Sequence, residues 1–164
     1  MNPAGMTRPE HRPEGYGDDV STDGAVTRTS LRSWEPITAP TPLSALPERV
    51  WTEEEWQRIR EGHLAGGAAD KWNVFVEGDR LYAHRSWSGR GVYEAGFGPA
   101  PGGGWRITDA LVESDPELHP LGAEARDSTM LQIIVSSVVL GIRDPGLWAR
   151  WRDNSGFADA AGAF

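Results

Sequence analysis

The chain has 164 residues, a formal net charge of −8, a single lysine (Lys71) beside fifteen arginines, and no cysteine. That length suits one domain with tails, and the acidic balance argues against non-specific binding to nucleic acid or to an anionic membrane. Disulfides and thiolate metal sites are excluded, and twelve Pro with twenty Gly predict that part of the chain does not pack.

Residues 1–33 mix Pro, Gly, Ser, Thr and nearly cancelling charges, with almost no large apolar side chains. Such a segment cannot bury enough surface to offset its ordering entropy and reads as a disordered tail. No apolar stretch of signal-peptide type precedes the domain, and the most apolar run, residues 130–142, is well short of the ~20 residues that span a bilayer. The expected setting is cytoplasmic. Residues 34–47, with four prolines, read as an extended connector, leaving residues 48–152 as the folded domain and residues 153–164 as a frayed end.

The first helix is expected to start at Thr52. Thr52 and Glu55 have the spacing of a capping box, and Trp51 and Trp56 that of a hydrophobic staple. Trp56, Ile59, His63 and Leu64 would form its apolar stripe, with Gly66-Gly67 as the stop. Residues 71–77 then alternate as a strand, and Gly78-Asp79 is a two-residue hairpin turn. The implied register sets Val76 opposite Leu81, Phe75 opposite Tyr82, Val74 opposite Ala83, Asn73 opposite His84, and Trp72 opposite Arg85. One face (Trp72, Val74, Val76, Leu81, Ala83, Trp87) should meet the helices, with Arg85 inward at its end; His84, Tyr82 and Asn73 share the other.

A turn at Ser88-Gly89-Arg90-Gly91 leads to a third strand over residues 92–97. A glycine-rich loop and a fourth strand over residues 105–113 follow, then an irregular connection to about residue 126. Asp127 or Ser128 would cap a buried helix over residues 129–142, and Leu147, Trp148 and Trp151 would add a short helical turn. The fold expected is α+β: an antiparallel meander of about four strands packed on one N-terminal and one C-terminal helix.

The segment from Lys71 to Glu94 resembles small bacterial proteins and appended domains of unknown function that share the pattern L-Y-x-H-R-S-W-[ST]-G-x-x-[IV]-Y. It is met here by Leu81, Tyr82, His84, Arg85, Ser86, Trp87, Ser88, Gly89, Val92 and Tyr93. Such domains occur alone or beside ADP-ribosylglycohydrolase-type enzymes, so the resemblance implies a link to ADP-ribose or nucleotide metabolism; it assigns no catalytic residue.

Four histidines at 11, 63, 84 and 119 give no metal-ligand spacing, and no phosphate-loop, dinucleotide or nucleophile-elbow motif occurs, so no metal or cofactor is expected. Three readings of the Tyr82–Arg90 region remain. It can bind an anionic, nucleotide-like small molecule, with Arg85, Arg90 and Ser88 on the anion and Tyr82, Trp87 or Tyr93 stacked on a planar group. It can be a small hydrolase site using His84 with Ser86, or with a carboxylate from Glu77, Glu94 or Asp109; two strand residues lie ~6.5–7 Å apart, so the pair needs a bulge. Or the chain is a protein-binding accessory or immunity-type module whose partner lies on the open sheet face at Phe75 and Tyr82. Against all three stands a structural reading, in which Arg85 pairs with Glu94 or Asp109 and Trp87 packs in the core.

Overall fold

The computed structural model describes residues 24–119 and 124–154. Its centre is a five-stranded antiparallel sheet in the order β1-β5-β4-β3-β2, with β1 at Pro40–Pro42, β2 at Trp72–Glu77, β3 at Arg80–Arg85, β4 at Gly91–Pro99 and β5 at Trp105–Glu113. The last four strands are the expected meander, and the β2–β3 register is the one implied by the Gly78-Asp79 turn, residue for residue. The fifth strand is new. It comes from the proline-rich segment, where Pro40 and Pro42 offer no amide to an outside strand and so blunt that edge.

Helix α1 (Glu53–Ile59) opens on the expected capping box: Thr52 Oγ1 accepts from the Glu55 amide at 3.0 Å, and Glu55 returns to the Thr52 amide at 2.9 Å. Trp51 and Trp56 meet through Phe97, with ring centroids 5.6 and 4.7 Å from it. The helix is one turn shorter than the sequence suggests. Gly62 takes φ +75°, and His63 leaves to exchange both backbone hydrogen bonds with Val74 on the β2 edge. His63 and the half-exposed Leu64 therefore do not extend the apolar stripe.

The second helix, α2 (Glu124–Ile133), begins earlier than expected, so Asp127 lies inside it rather than at its cap. It runs on as a π-helical segment, Ile134–Val139, where the Leu140 amide bonds back to Val135. Gly141 at φ +74° ends it. A full helix, α3 (Pro145–Asn154), follows where one turn was expected, and Asp144 Oδ1 caps it through the Leu147 amide. These helices lie on the face bearing Trp72, Val74, Leu81, Ala83, Ala95 and Ile107, where the large aliphatic side chains of α2 and its π extension complete the core. Among the described residues, no helix is long and apolar enough to cross a membrane.

Part of the other sheet face is covered by residues 24–39, which form a strap rather than a tail or a loose connector. Arg28 lies 4.3 Å over the Trp34 ring and pairs with Glu77; Trp34 stacks on His84 at 5.6 Å; the Val26 amide bonds to Glu61. The strap is fixed at its far end by Glu113, whose carboxylate is 1% exposed and accepts from the Thr38 amide, Thr38 Oγ1 and the Ala39 amide. Residues 24–47 therefore belong to the folded part, which composition alone started at 48. Residues 1–23 and 155–164, read as tails, lie outside the described residues.

Candidate functional site

A bulge between Ala83 and His84 ends the regular β3–β4 pairing, and β3 itself ends at Arg85. From there the chain turns through Ser86 to Arg90, with Gly89 at φ +77°. Strand parity no longer applies past Arg85. Trp87, expected in the core, is instead 64% exposed.

Trp87 tops a stack of rings and cations. The Arg85 guanidinium lies 4.3 Å from the Trp72 ring centroid and 5.2 Å from that of Trp87, while Lys71 Nζ lies 5.7 Å from Trp87. Such cation–π contacts hold an exposed indole in place at roughly 0.5–1 kcal/mol each. Burial pulls the pKa of Arg85 below the usual arginine value, and the nearby Arg126 charge adds to that. Arg85 does end on the core face, as the register implied. The two carboxylates that the sequence offered it, Glu94 and Asp109, bind Arg80, at 3.1 and 3.0 Å.

Trp87 borders a cleft of about 620 Å³. Ser30 and Arg32 of the strap form one wall, the loop from Leu64 to Ala68 forms another, and Asn73 with Ser86 lies at the base. The loop is braced from behind. His63 Nε2 meets Asp70 at 2.7 Å, Asp70 also accepts from the Gly66 amide, and Asn73 Oδ1 accepts from the Ala65 amide. Among the described residues, no carboxylate lines this cleft, and Arg32 is the charged side chain in its lining. In a chain of net charge −8, Arg32 in the lining and Lys71 and Arg85 on its bordering indole gather positive charge here, beside the Asp70 carboxylate that is turned to His63 and the Gly66 amide. Two smaller clefts, of about 490 and 290 Å³, contain none of the candidate binding or catalytic residues read from the sequence.

The remaining candidates disperse. Arg90 pairs with Glu35 of the strap at 3.0 Å, away from Arg85's indole stack; Ser88 Oγ accepts from the Arg90 amide and its carbonyl from Ser33 Oγ. Tyr82 stacks on Phe75 at 4.9 Å, and burial, then the Glu94 and Glu77 charges, raise its pKa. Tyr93 is buried on the helix side, where its hydroxyl donates to Asp127 at 2.8 Å. Burial and that carboxylate push its pKa well above the ordinary tyrosine value. Phe75 is fully covered, so a partner on that face would meet the strap and Tyr82 instead.

His84 and Ser86 are not joined. His84 is 2% exposed between Trp34 and Phe75, and Nδ1 donates to the Gly89 carbonyl at 2.8 Å; Ser86 Oγ donates to the Asp70 carbonyl at 2.7 Å. Burial lowers the His84 pKa, only partly offset by the Gly89 bond. A depressed histidine pKa means that the unfolded chain takes up the proton first. The His84 contribution to stability is thus complete above the unfolded value of ~6.5 and is lost as pH falls from there through the folded value. Urea melts at stepped pH should show this loss, and His84→Asn should flatten the slope; an unchanged slope in that variant would assign the acid sensitivity elsewhere.

Arg32 and the loop from Leu64 to Ala68 escaped the sequence reading, because one sat in presumed tail and the other in presumed helix. The only local sign was Gly62, four residues before the Gly66-Gly67 pair. Among the described residues, no group of three or more His, Asp or Glu side chains could hold a metal. Comparison with protein-family models, with curated proteins and with solved structures finds no match to this chain.

Proposed function

We propose that the chain is a small-ligand binding or accessory module whose cleft beside Trp87 takes an anionic, nucleotide-like molecule such as ADP-ribose. The observation behind this is the exposed indole, steadied by Lys71 and Arg85, at the border of a cleft that contains Arg32 and, among the described residues, no carboxylate. A planar base stacked on such a ring gains ~1–3 kcal/mol, and Arg32 supplies a charge-assisted contact to a phosphate. The resemblance of the Leu81–Tyr93 pattern to domains found beside ADP-ribosylglycohydrolase-type enzymes favours the same ligand class. The braced loop suits a cleft formed before the ligand arrives.

A thermal-shift and calorimetry panel of ADP-ribose, nucleotides and sugar phosphates tests this. At least one should raise the melting temperature saturably. Trp87→Ala and Arg32→Ala should each weaken that ligand by roughly tenfold, about 1.4 kcal/mol, with little change in the melting temperature of the free protein. If no member of the panel binds, or if both variants bind as well as the parent, the reading fails.

A further inference from the structure

Asn73 is 7% exposed, and what remains open of it faces the cleft beside Trp87. Its neighbour fixes which end of the side-chain amide is left over. The Ala65 amide can only donate, and it meets Oδ1 at 2.7 Å, so the NH₂ is the other end. Among the described residues nothing accepts from Nδ2, and it is not one of the sealed interior nitrogens without a partner, as the Trp72 indole is.

Ser86 supplies the opposite capacity. Its one hydroxyl hydrogen goes to the Asp70 carbonyl at 2.7 Å, which leaves Oγ with lone pairs that only accept. Its amide bonds to the Lys71 carbonyl at 3.0 Å. Both bonds tie Ser86 to the two residues that lead into β2, and so hold it with Asn73 at the base of the same cleft.

A fixed donor and a fixed acceptor at the base of a cleft bordered by an exposed indole sort the parts of a nucleotide. A fully ionised diphosphate satisfies Asn73 but brings Ser86 no hydrogen. A sugar hydroxyl satisfies either one but brings the indole no flat face. A nucleobase brings all three, because its edge sets an acceptor next to an N–H on a planar ring. We propose that Asn73 and Ser86 are the specificity-determining pair of the cleft, reading a nucleobase by such an edge, with Nδ2 donating to the base's acceptor and Ser86 Oγ accepting from its N–H. The base then lies inward and the phosphates run out to Arg32 on the strap wall. This rests on the nucleotide reading of the cleft and adds which part of the ligand enters it and which atoms select it.

Purine riboside 5′-monophosphate is the discriminating probe, because it keeps the purine ring, the sugar and the phosphate but carries no N–H on that edge. AMP and IMP each carry one, as an exocyclic amine and as a lactam, and ribose 5-phosphate lacks the base altogether. In calorimetry with the whole chain, the tighter of AMP and IMP should bind about tenfold better than purine riboside 5′-monophosphate, and ribose 5-phosphate should be the weakest. Ser86→Ala should bring the preferred nucleotide down to the purine riboside level and leave purine riboside itself unchanged, a pattern that general loosening of the cleft would not give. Asn73→Asp keeps the oxygen that holds the Ala65 amide and replaces the donor with an acceptor; it should weaken the preferred nucleotide roughly tenfold more than it weakens ribose 5-phosphate. If neither AMP nor IMP outbinds purine riboside, if Ser86→Ala keeps the preference, or if ribose 5-phosphate binds as well as the nucleotides, the proposal is overturned, and the cleft stands as an anion site on Trp87 and Arg32. If ADP-ribose, nucleotides and sugar phosphates all fail to bind, the cleft reading falls and this one with it.

Discussion

Glu113→Ala should cost about 2–4 kcal/mol and loosen the strap before it unfolds the sheet. Three donors from two consecutive residues, the Thr38 amide and hydroxyl and the Ala39 amide, converge on this one carboxylate at 2.8–3.2 Å. Hydrogen bonds to a charged group contribute ~1.5–3 kcal/mol each, and donors left behind lose that in full unless water replaces it. Thr38 is exposed and Ala39 half-buried, so water recovers part of the loss, which sets the upper bound. Glu113→Gln is the informative partner variant. Of the groups facing Glu113, the two amides only donate while the Thr38 hydroxyl can also accept, so Gln loses the charge but can turn its NH₂ to Thr38 Oγ1 and should cost less than Ala. Urea melts give the energies, and amide exchange at Thr38, Ala39 and Ser114 reports the local opening, since the Ser114 amide bonds to the Ala39 carbonyl. A loss under about 0.5 kcal/mol in both variants, or no faster exchange at these amides, would mean the strap is held by other contacts.

The same carboxylate shows why the sheet was legible in the sequence and the strap was not. Strand pairing is a local, repeating code. Alternation over residues 71–77 and a Gly-Asp turn fix every partner from Trp72↔Arg85 to Glu77↔Arg80, and the observed register follows. The capping box at Thr52 is local too, and it forms. The strap has no period. It is attached by single side chains reaching 49 to 75 residues along the chain, Arg28 to Glu77 and Thr38 to Glu113, and composition cannot register such contacts. β1 follows from that attachment, which is why a sheet read as four strands has five.

The candidate site divides along the same line. His84 and Arg85, still within the strand, point where alternation sent them; Trp87, two residues past its end, does not. Asp127 reads as a cap in the sequence because neither of its real partners, Tyr93 34 residues back and His119 8 residues back, stands at a capping or helical spacing from it. The β-branched run Ile133-Ile134-Val135 fits helix by length, but its widening into π geometry has no local mark. There Ser136 Oγ accepts from Arg49 and from the Trp51 indole. The strap is also the half of the cleft that the sequence hid, since Arg32 reaches the wall only when residues 33–35 are held on the turn after β3.

That holding point is Gly89, and Gly89→Ala should be the more damaging of the two glycine substitutions that isolate it. The Gly89 carbonyl serves both the Glu35 amide at 2.9 Å and the His84 ring at 2.8 Å, and its own amide bonds to the Arg85 carbonyl. Its φ of +77° costs a non-glycine residue ~1–2 kcal/mol by itself. A Cβ here would also collide with the Ser33 backbone carbonyl and hydroxyl, and backbone cannot rotate out of the way. Gly102 provides the control: φ is +88°, and nothing lies within 4 Å of where its Cβ would be. Gly102→Ala should therefore show the conformational cost alone, about 1 kcal/mol, and Gly89→Ala about 3 kcal/mol or more, because the strap must lift away from the turn. The added loss should come with ligand-side consequences: the cleft loses its Arg32 wall, so any ligand bound beside Trp87 should weaken in Gly89→Ala and not in Gly102→Ala. Equal costs for the two substitutions would show that strap and turn separate freely, and the cleft would then have to be redrawn without the strap.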